Sequence, residues 1–248
     1  MCFRDLIPLL ADRYHLVAPD YPGFGYSARP TPAEFAYTFD HLAEVMEGFV
    51  DQLGLSRYSL YMQDFGGPVG FRLATRRPRQ VRSLIIQNAN AYEEGVSSGV
   101  KDTVLRIWTE RTPETEARLR ELFELPATQR QFLEGAPDSS RVSPDGWEHA
   151  QWGMDRPGNK DIQFVLHANY GSNVERYAEW HEYFRKYQPA TLIVWGKNDF
   201  VFLSAGAEAY RKDLKHVELH LLDAGHFALE TNAADIAAHI HAFQAARE

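Results

Sequence analysis

Cysteine is almost missing from this chain: Cys2 is the single one among 248 residues. No internal disulfide can form, and a reducing compartment is expected. No apolar run approaches the ~20 residues that span a bilayer. Near the start, Arg4, Asp5 and Pro8 interrupt the apolar block that a secretory signal needs. Positive charge is in deficit, with 26 Lys and Arg against 34 Asp and Glu, a net charge of −8. That balance argues against nucleic acid or an anionic membrane as the main partner. Internal repeats and low-complexity tracts are absent. Gly66, Gly67 and Gly70 lack the spacing of a dinucleotide fingerprint, so no nicotinamide cofactor is expected. His239 and His241 lie two apart on an expected helix and face different ways, which implies no metal pair. The exclusions leave a cytoplasmic protein without cofactor or metal, acting on a small molecule and water, and compatible with a homodimer.

Hydrophobic residues at 44% and aromatics at 13% supply a full core, either as one domain or as a core with an insertion. The most informative stretch is 58–67, YSLYMQDFGG. It reads as a buried strand entering a sharp turn with Asp64 at its tip, followed by two glycines and a helical pattern through Val69, Phe71, Leu73 and Ala74. Upstream, residues 3–10 read as an amphipathic helix and 15–19 as a short buried strand ending at Asp20. The loop 20–27, DYPGFGYS, has turn chemistry throughout. A helix follows with Asp40 as its expected N-cap, an apolar face of Leu42, Val45, Met46, Phe49, Val50 and Leu53, and Gly54 as its stop. Further strands are expected at 81–87, 191–196 and 217–222, with helices at 205–214 and near Ile236, Ile240 and Phe243.

Short, uninterrupted apolar strands alternating with helices predict a mostly parallel α/β sheet covered on both faces. Between Asn88 and Pro189 the pattern turns helical and is broken at Pro113, Pro126, Pro137, Pro144 and Pro157. Trp108, Trp147, Trp152 and Trp180 lie in it. It reads as a helical cap (88–189) inserted between core segments 1–87 and 190–248, over the strand ends where ligands bind in such folds.

Two further residues complete a pattern. Asp199 follows the 191–196 strand, and His226 follows the last strand in DAGHF. A strand–turn–helix elbow, then an acid, then a histidine is the chain order of α/β-hydrolases. With the 20–27 loop added, the chain resembles the α/β-hydrolase superfamily, and within it the branch of epoxide hydrolases and haloalkane dehalogenases, whose nucleophile is an aspartate. The resemblance implies that Asp64 attacks an sp³ carbon and forms an ester, that His226 then activates water against that ester, and that Asp199 orients the imidazole. Taken singly, such an aspartate before a helix is more often an N-cap than a nucleophile, Asp199 a turn or cap residue and His226 a surface or hydrogen-bonded core histidine; jointly, at the ends of three strands, they read as a catalytic set. Asp223 and Glu230 compete with Asp199 as the acid, although their positions suit the turn and the helix start.

Haloalkane dehalogenases carry a tryptophan just after the nucleophile, and fluoroacetate dehalogenases an arginine. Here that residue is Phe65, whose side chain donates nothing, leaving its backbone N–H as the expected oxyanion donor. Epoxide opening needs a donor to the nascent alkoxide, commonly a cap tyrosine in epoxide hydrolases. Tyr170 is the first candidate, in the polar break NYGSN. Tyr177 and Tyr183 also suit ordinary cap packing. Tyr92, Trp152 and Tyr177 are the expected substrate contacts. An epoxide is therefore the expected substrate, with hydrolytic dehalogenation, ester hydrolysis and a catalytically silent protein as alternatives.

Two departures from the family pattern stand out. Methionine at position 62 occupies an elbow site that usually holds a small residue, so looser packing or a compensating change nearby is expected. The family's His-Gly-x-Pro loop, which supplies a second oxyanion donor, and the strands before it are not among these residues. A start assigned too far downstream is the expected reason, ahead of a truncated relic or a scaffold whose edge is covered by a partner.

Overall fold

Within the computed structural model, residues 2–247 are described; Met1 and Glu248, the outer limits of the two expected core segments, lie outside them. Four strands form one parallel sheet in the order β1–β2–β3–β4: β1 Tyr58–Gln63, β2 Val81–Gln87, β3 Ala190–Gly196 and β4 Val217–Leu222. Successive side chains of a strand point to opposite faces, and here both faces are buried. Met62, Leu84, Ile86, Ile193 and Trp195 pack on one side against α2 (Phe39–Gln52), α3 (Gly66–Arg76) and the cap. Ile85, Leu192 and Val194 pack on the other against α1 (Leu6–Leu10) and the C-terminal helix through Leu6, Leu10, Ile236, Ile240 and Phe243. This double burial is why the strands read as continuous apolar runs.

The register pairs Gln63 with Gln87, Gln87 with Val194, and Gly196 with Leu222. At their carboxyl ends β1 and β2 therefore finish together, β3 and β4 finish together two residues further on, and the residues that follow them meet at one edge. Between β2 and β3 the cap supplies α4 (Pro113–Arg120), α5 (Leu125–Leu133), α6 (Pro144–Asp155), α7 (Asn159–Ala168) and α8 (Tyr177–Tyr187), joined by shorter helical turns. After β3 come α9 (Ser204–Ala209) and a 3₁₀ turn, then β4 and α10 (Leu229–Ala245).

Three expectations need correction. The N-cap of α2 is Thr38, whose Oγ1 accepts from the His41 N–H at 3.2 Å. Asp40 lies in the first turn instead, where its carboxylate pairs with Arg72 at 2.8 Å and with Arg176 of the cap at 3.0 Å. Residues 15–19 form no strand and are mostly exposed. No strand lies beside them to take their N–H and C=O groups, and a groove of about 550 Å³ separates Val17, Ala18 and Pro19 from Val45, Met46 and Phe49 of α2. Finally, the helix expected over 205–214 is only six residues long before it tightens into the 3₁₀ turn Tyr210–Lys212.

Arg72 ties cap to core. It is 1% exposed and donates to Asp40, to the Asn173 side chain of the cap at 2.7 Å, and to the Pro68 carbonyl at 3.1 Å. A guanidinium offers five donors in a fixed fork, and here the fork joins α2, α3 and the segment that follows Tyr170.

Met62 has its compensating change. It is 1% exposed, and a Cβ added to Gly70 would stand 2.3 Å from the Met62 sulfur. The missing side chain at Gly70 is the space that Met62 fills. Gly70→Ala should therefore destabilise the fold by about 1–3 kcal/mol through overpacking, and Met62→Ala by about 2–5 kcal/mol through a cavity. In the double variant the new methyl fills part of that cavity, so the loss falls short of the sum by more than ~0.5 kcal/mol. Denaturant unfolding of the four proteins measures the coupling, and strict additivity would show that the two residues do not compensate.

Candidate active site

Asp64 leaves β1 in the left-handed region, with φ at +47°. A non-glycine residue there costs about 1–3 kcal/mol and persists only where its surroundings fix it. The Asp64 N–H donates to the Asn88 carbonyl at 3.3 Å, and its carbonyl accepts from the Gly67 N–H at 2.9 Å. The turn lifts the carboxylate off the sheet to 30% side-chain exposure. Phe65 is the N-cap of α3, so its backbone N–H precedes the helical ladder and stays available.

His226 sits in the loop after β4 and is 1% exposed. Its Nδ1 donates to Asp199 Oδ2 at 2.8 Å, while Nε2 faces Asp64 Oδ1 at 3.5 Å. Burial alone would push the imidazole toward its neutral form. The charge of Asp199, its hydrogen bond, and the hydrogen bond and charge of Asp64 outweigh burial and push it up to about 10. Asp199 is 3% exposed and fully engaged. Its Oδ2 also accepts from the Asn88 amide at 2.8 Å, and its Oδ1 accepts from the Val201 N–H at 2.7 Å.

Asn88 is absent from the expected site and belongs in it. It has φ of +42°, and its Oδ1 accepts from the Gly196 N–H at 3.0 Å. One side chain thereby binds the ends of two strands to the acid. The available signal was positional: Asn88 follows β2 as Asp64 follows β1, and an asparagine tolerates the left-handed region. It stays with the core although the expected cap began there.

The cap closes over this edge with aromatic rings. Phe65 lies edge-on to Phe39 at 5.1 Å and to His167 at 4.8 Å, and Tyr170 contacts Phe39 at 5.7 Å and Phe65 at 5.9 Å. His167, on α7, is a second residue that sequence reading missed. Its Nδ1 donates to the Gln163 carbonyl at 2.8 Å, so the neutral ring presents a lone pair at Nε2. Burial holds it below the usual histidine range, against a rise from that hydrogen bond and from Asp64. A histidine four residues after a helical carbonyl gives little sequence signal.

Tyr170 is 2% exposed, and burial drives its hydroxyl far up the scale, toward remaining protonated. Tyr177, buried in the same cluster, accepts from the Asn90 amide at 3.1 Å through its hydroxyl. Tyr183 packs in the cap at 4% exposure beside Phe184. The other two expected substrate contacts are not brought to Asp64. Tyr92 spends its hydroxyl on Asp213 at 2.8 Å and stacks on His181 at 4.1 Å. Trp152 is 47% exposed and packs with Tyr26, His149 and Arg156 on the outer seam of α6. The competing acids are committed elsewhere, Asp223 to Lys197 and Asn198, and Glu230 to a bidentate pair with Arg4.

A carboxylate at the tip of a strained turn, a buried imidazole between two carboxylates, and a helix N-terminus beside them can support covalent catalysis followed by attack of water. No helix among the described residues is long and apolar enough to cross a membrane.

Comparison with known proteins identifies the fold. A family model described as alpha/beta hydrolase fold matches residues 1–233. An uncharacterised hydrolase of Saccharomyces cerevisiae is 37% identical over 241 residues, covering 96% of this chain and 82% of the yeast protein. Haloalkane dehalogenase 2 of Mycobacterium tuberculosis is 46% identical over 86 residues, 35% of this chain and 29% of that protein. The crystal structure of a haloalkane dehalogenase from Bradyrhizobium elkani superposes with a TM-score of 0.75 at 23% identity, covering 99% of this chain and 87% of that one, a likeness of fold. The chain is a hydrolase of the α/β-hydrolase family.

Proposed function

We propose that the protein hydrolyses a small, mostly apolar epoxide through an ester on Asp64. The observation that carries the reading is the placement of His226 Nε2 3.5 Å from the Asp64 carboxylate with Asp199 behind it. An aspartate in a serine's position needs no base for the first displacement.

In the first step an Asp64 oxygen attacks a ring carbon and the carbon–oxygen bond of the epoxide breaks. The Tyr170 hydroxyl hydrogen-bonds the oxygen as charge develops on it. Esterification removes the negative charge that helps hold the His226 proton, and that proton passes to the alkoxide. The imidazole is then neutral. It takes a proton from water as the water oxygen attacks the ester carbonyl, with the Phe65 N–H stabilising the oxyanion. Collapse releases the diol and restores carboxylate and imidazolium. Rings of Phe39, Phe65 and Phe202 around Tyr170 suit an apolar substrate.

Hydrolytic dehalogenation is the second reading, favoured by the similarity to the mycobacterial dehalogenase. Against it stands Phe65, which has no side-chain donor for a departing halide. Release of halide from haloalkanes, with no diol from epoxides, would decide for it.

Three outcomes are expected. His226→Gln should still alkylate, more slowly, with the alkoxide taking its proton from solvent, and then stall, so mass spectrometry finds an adduct on Asp64 equal to the whole epoxide; Asp64→Asn should take no label. Rapid turnover by His226→Gln would remove the scheme. Tyr170→Phe should slow epoxide alkylation by about 10²-fold or more while sparing any alkylation by a haloalkane, whose leaving group needs no proton. Equal losses with both substrates would make Tyr170 a packing residue. The third concerns stability. Because the folded pKa of His226 is raised from 6.5 to about 10, its pairing stabilises the protein fully below 6.5, and that contribution is lost as pH rises through about 10. The gap in Tm between the native protein and His226→Gln should thus narrow across that window in thermal scans.

A further inference from the structure

The edge strand β4 carries a second cluster of donors that the triad does not use. Glu218 and His220 are two residues apart on β4, so both project to the face that α10 covers. His239 of α10 meets them there. Its ring stacks on His220 with centroids 3.7 Å apart and planes 22° from parallel, and His220 Nε2 lies 3.0 Å from Glu218 Oε1. One ligand atom from each of the three residues lies within 4.8 Å of the others, and all three are half-buried. His241, the other histidine of this helix, turns away, contacting the Leu9 carbonyl at 3.0 Å and stacking on Tyr14.

We propose that Glu218, His220 and His239 form a binding site for a divalent transition-metal ion, with Zn²⁺ the cation best suited to two imidazoles and one carboxylate. A tetrahedral ion with bonds of about 2.0–2.2 Å holds its ligand atoms roughly 3.3 Å apart. Contraction from the present spacing needs rotation of the half-buried side chains, which swings the two stacked rings apart. Water completes the coordination. Two imidazoles stacked this closely repel each other once both carry protons, whereas a shared ion replaces the protons and reverses that term. Asp235, which acts electrostatically on His239, adds further negative charge. The ion would join the strand before the His226 loop to the helix after it, and so fasten both arms of that loop.

The test uses the whole chain, freed of metal by chelator and titrated with Zn²⁺ in a calorimeter. One saturable site is expected, with Tm rising as Zn²⁺ is added. His239→Ala should weaken binding by at least about 10–100-fold and shrink the rise in Tm at a given Zn²⁺ concentration accordingly. Glu218→Gln, which keeps the side-chain size, should weaken binding, and the metal-free Tm of each variant separates a folding defect from lost ligation. His241→Ala should bind as the native protein does. Absence of a saturable site, undiminished binding by His239→Ala, or an equal loss in His241→Ala would each overturn the proposal.

Discussion

A single buried carboxylate organises this molecule. Asp199 accepts hydrogen bonds from His226, Asn88 and the Val201 N–H, and all three are needed because an unpaired buried charge is destabilising by several kcal/mol. Each donor comes from a different place: the loop after β4, the end of β2, and the loop after β3. Satisfying the acid therefore locks three strand ends together at the edge where Asp64 emerges. The same charge keeps a proton on an imidazole that burial would otherwise strip.

That proton gives the proposed chemistry its order. While Asp64 is a carboxylate, two anions hold the imidazolium. Once Asp64 is an ester, only Asp199 remains, and His226 becomes free to accept a proton from water. Control of the histidine by the covalent state of its neighbour means that a base appears only when there is an ester to cleave. Arg72 fixes the cap over this edge through Asp40 and Asn173.

The legible parts of the sequence were those with a short-range physical signature. The elbow showed itself because a strand, a tip residue and a glycine-bearing helix are contiguous. Asp199 and His226 were legible because each follows an apolar strand, and in a parallel sheet such positions converge. Thr38 was overlooked for Asp40, since both are good caps and only the tertiary pairing with Arg72 and Arg176 removes Asp40 from that role. Residues 15–19 have a strand's composition, but strand formation needs a partner and none is beside them. Tyr92 and Trp152 failed as contacts because nothing local tells a buried tyrosine bound to Asp213, or a surface tryptophan, from one that faces a cavity.

The sequence alone determined the parallel α/β architecture, the helical insertion and the identity of the elbow residue, because periodicity and turn chemistry act over a few bonds. Tertiary structure decided the rest. It joined Asn88 to Asp199 and His167 to Phe65, turned Tyr92 to Asp213, matched Met62 to Gly70, and brought His239 onto His220 across two elements. Each of these depends on which faces meet when sheet, helices and cap pack, a choice made by the whole core and carried by no single segment.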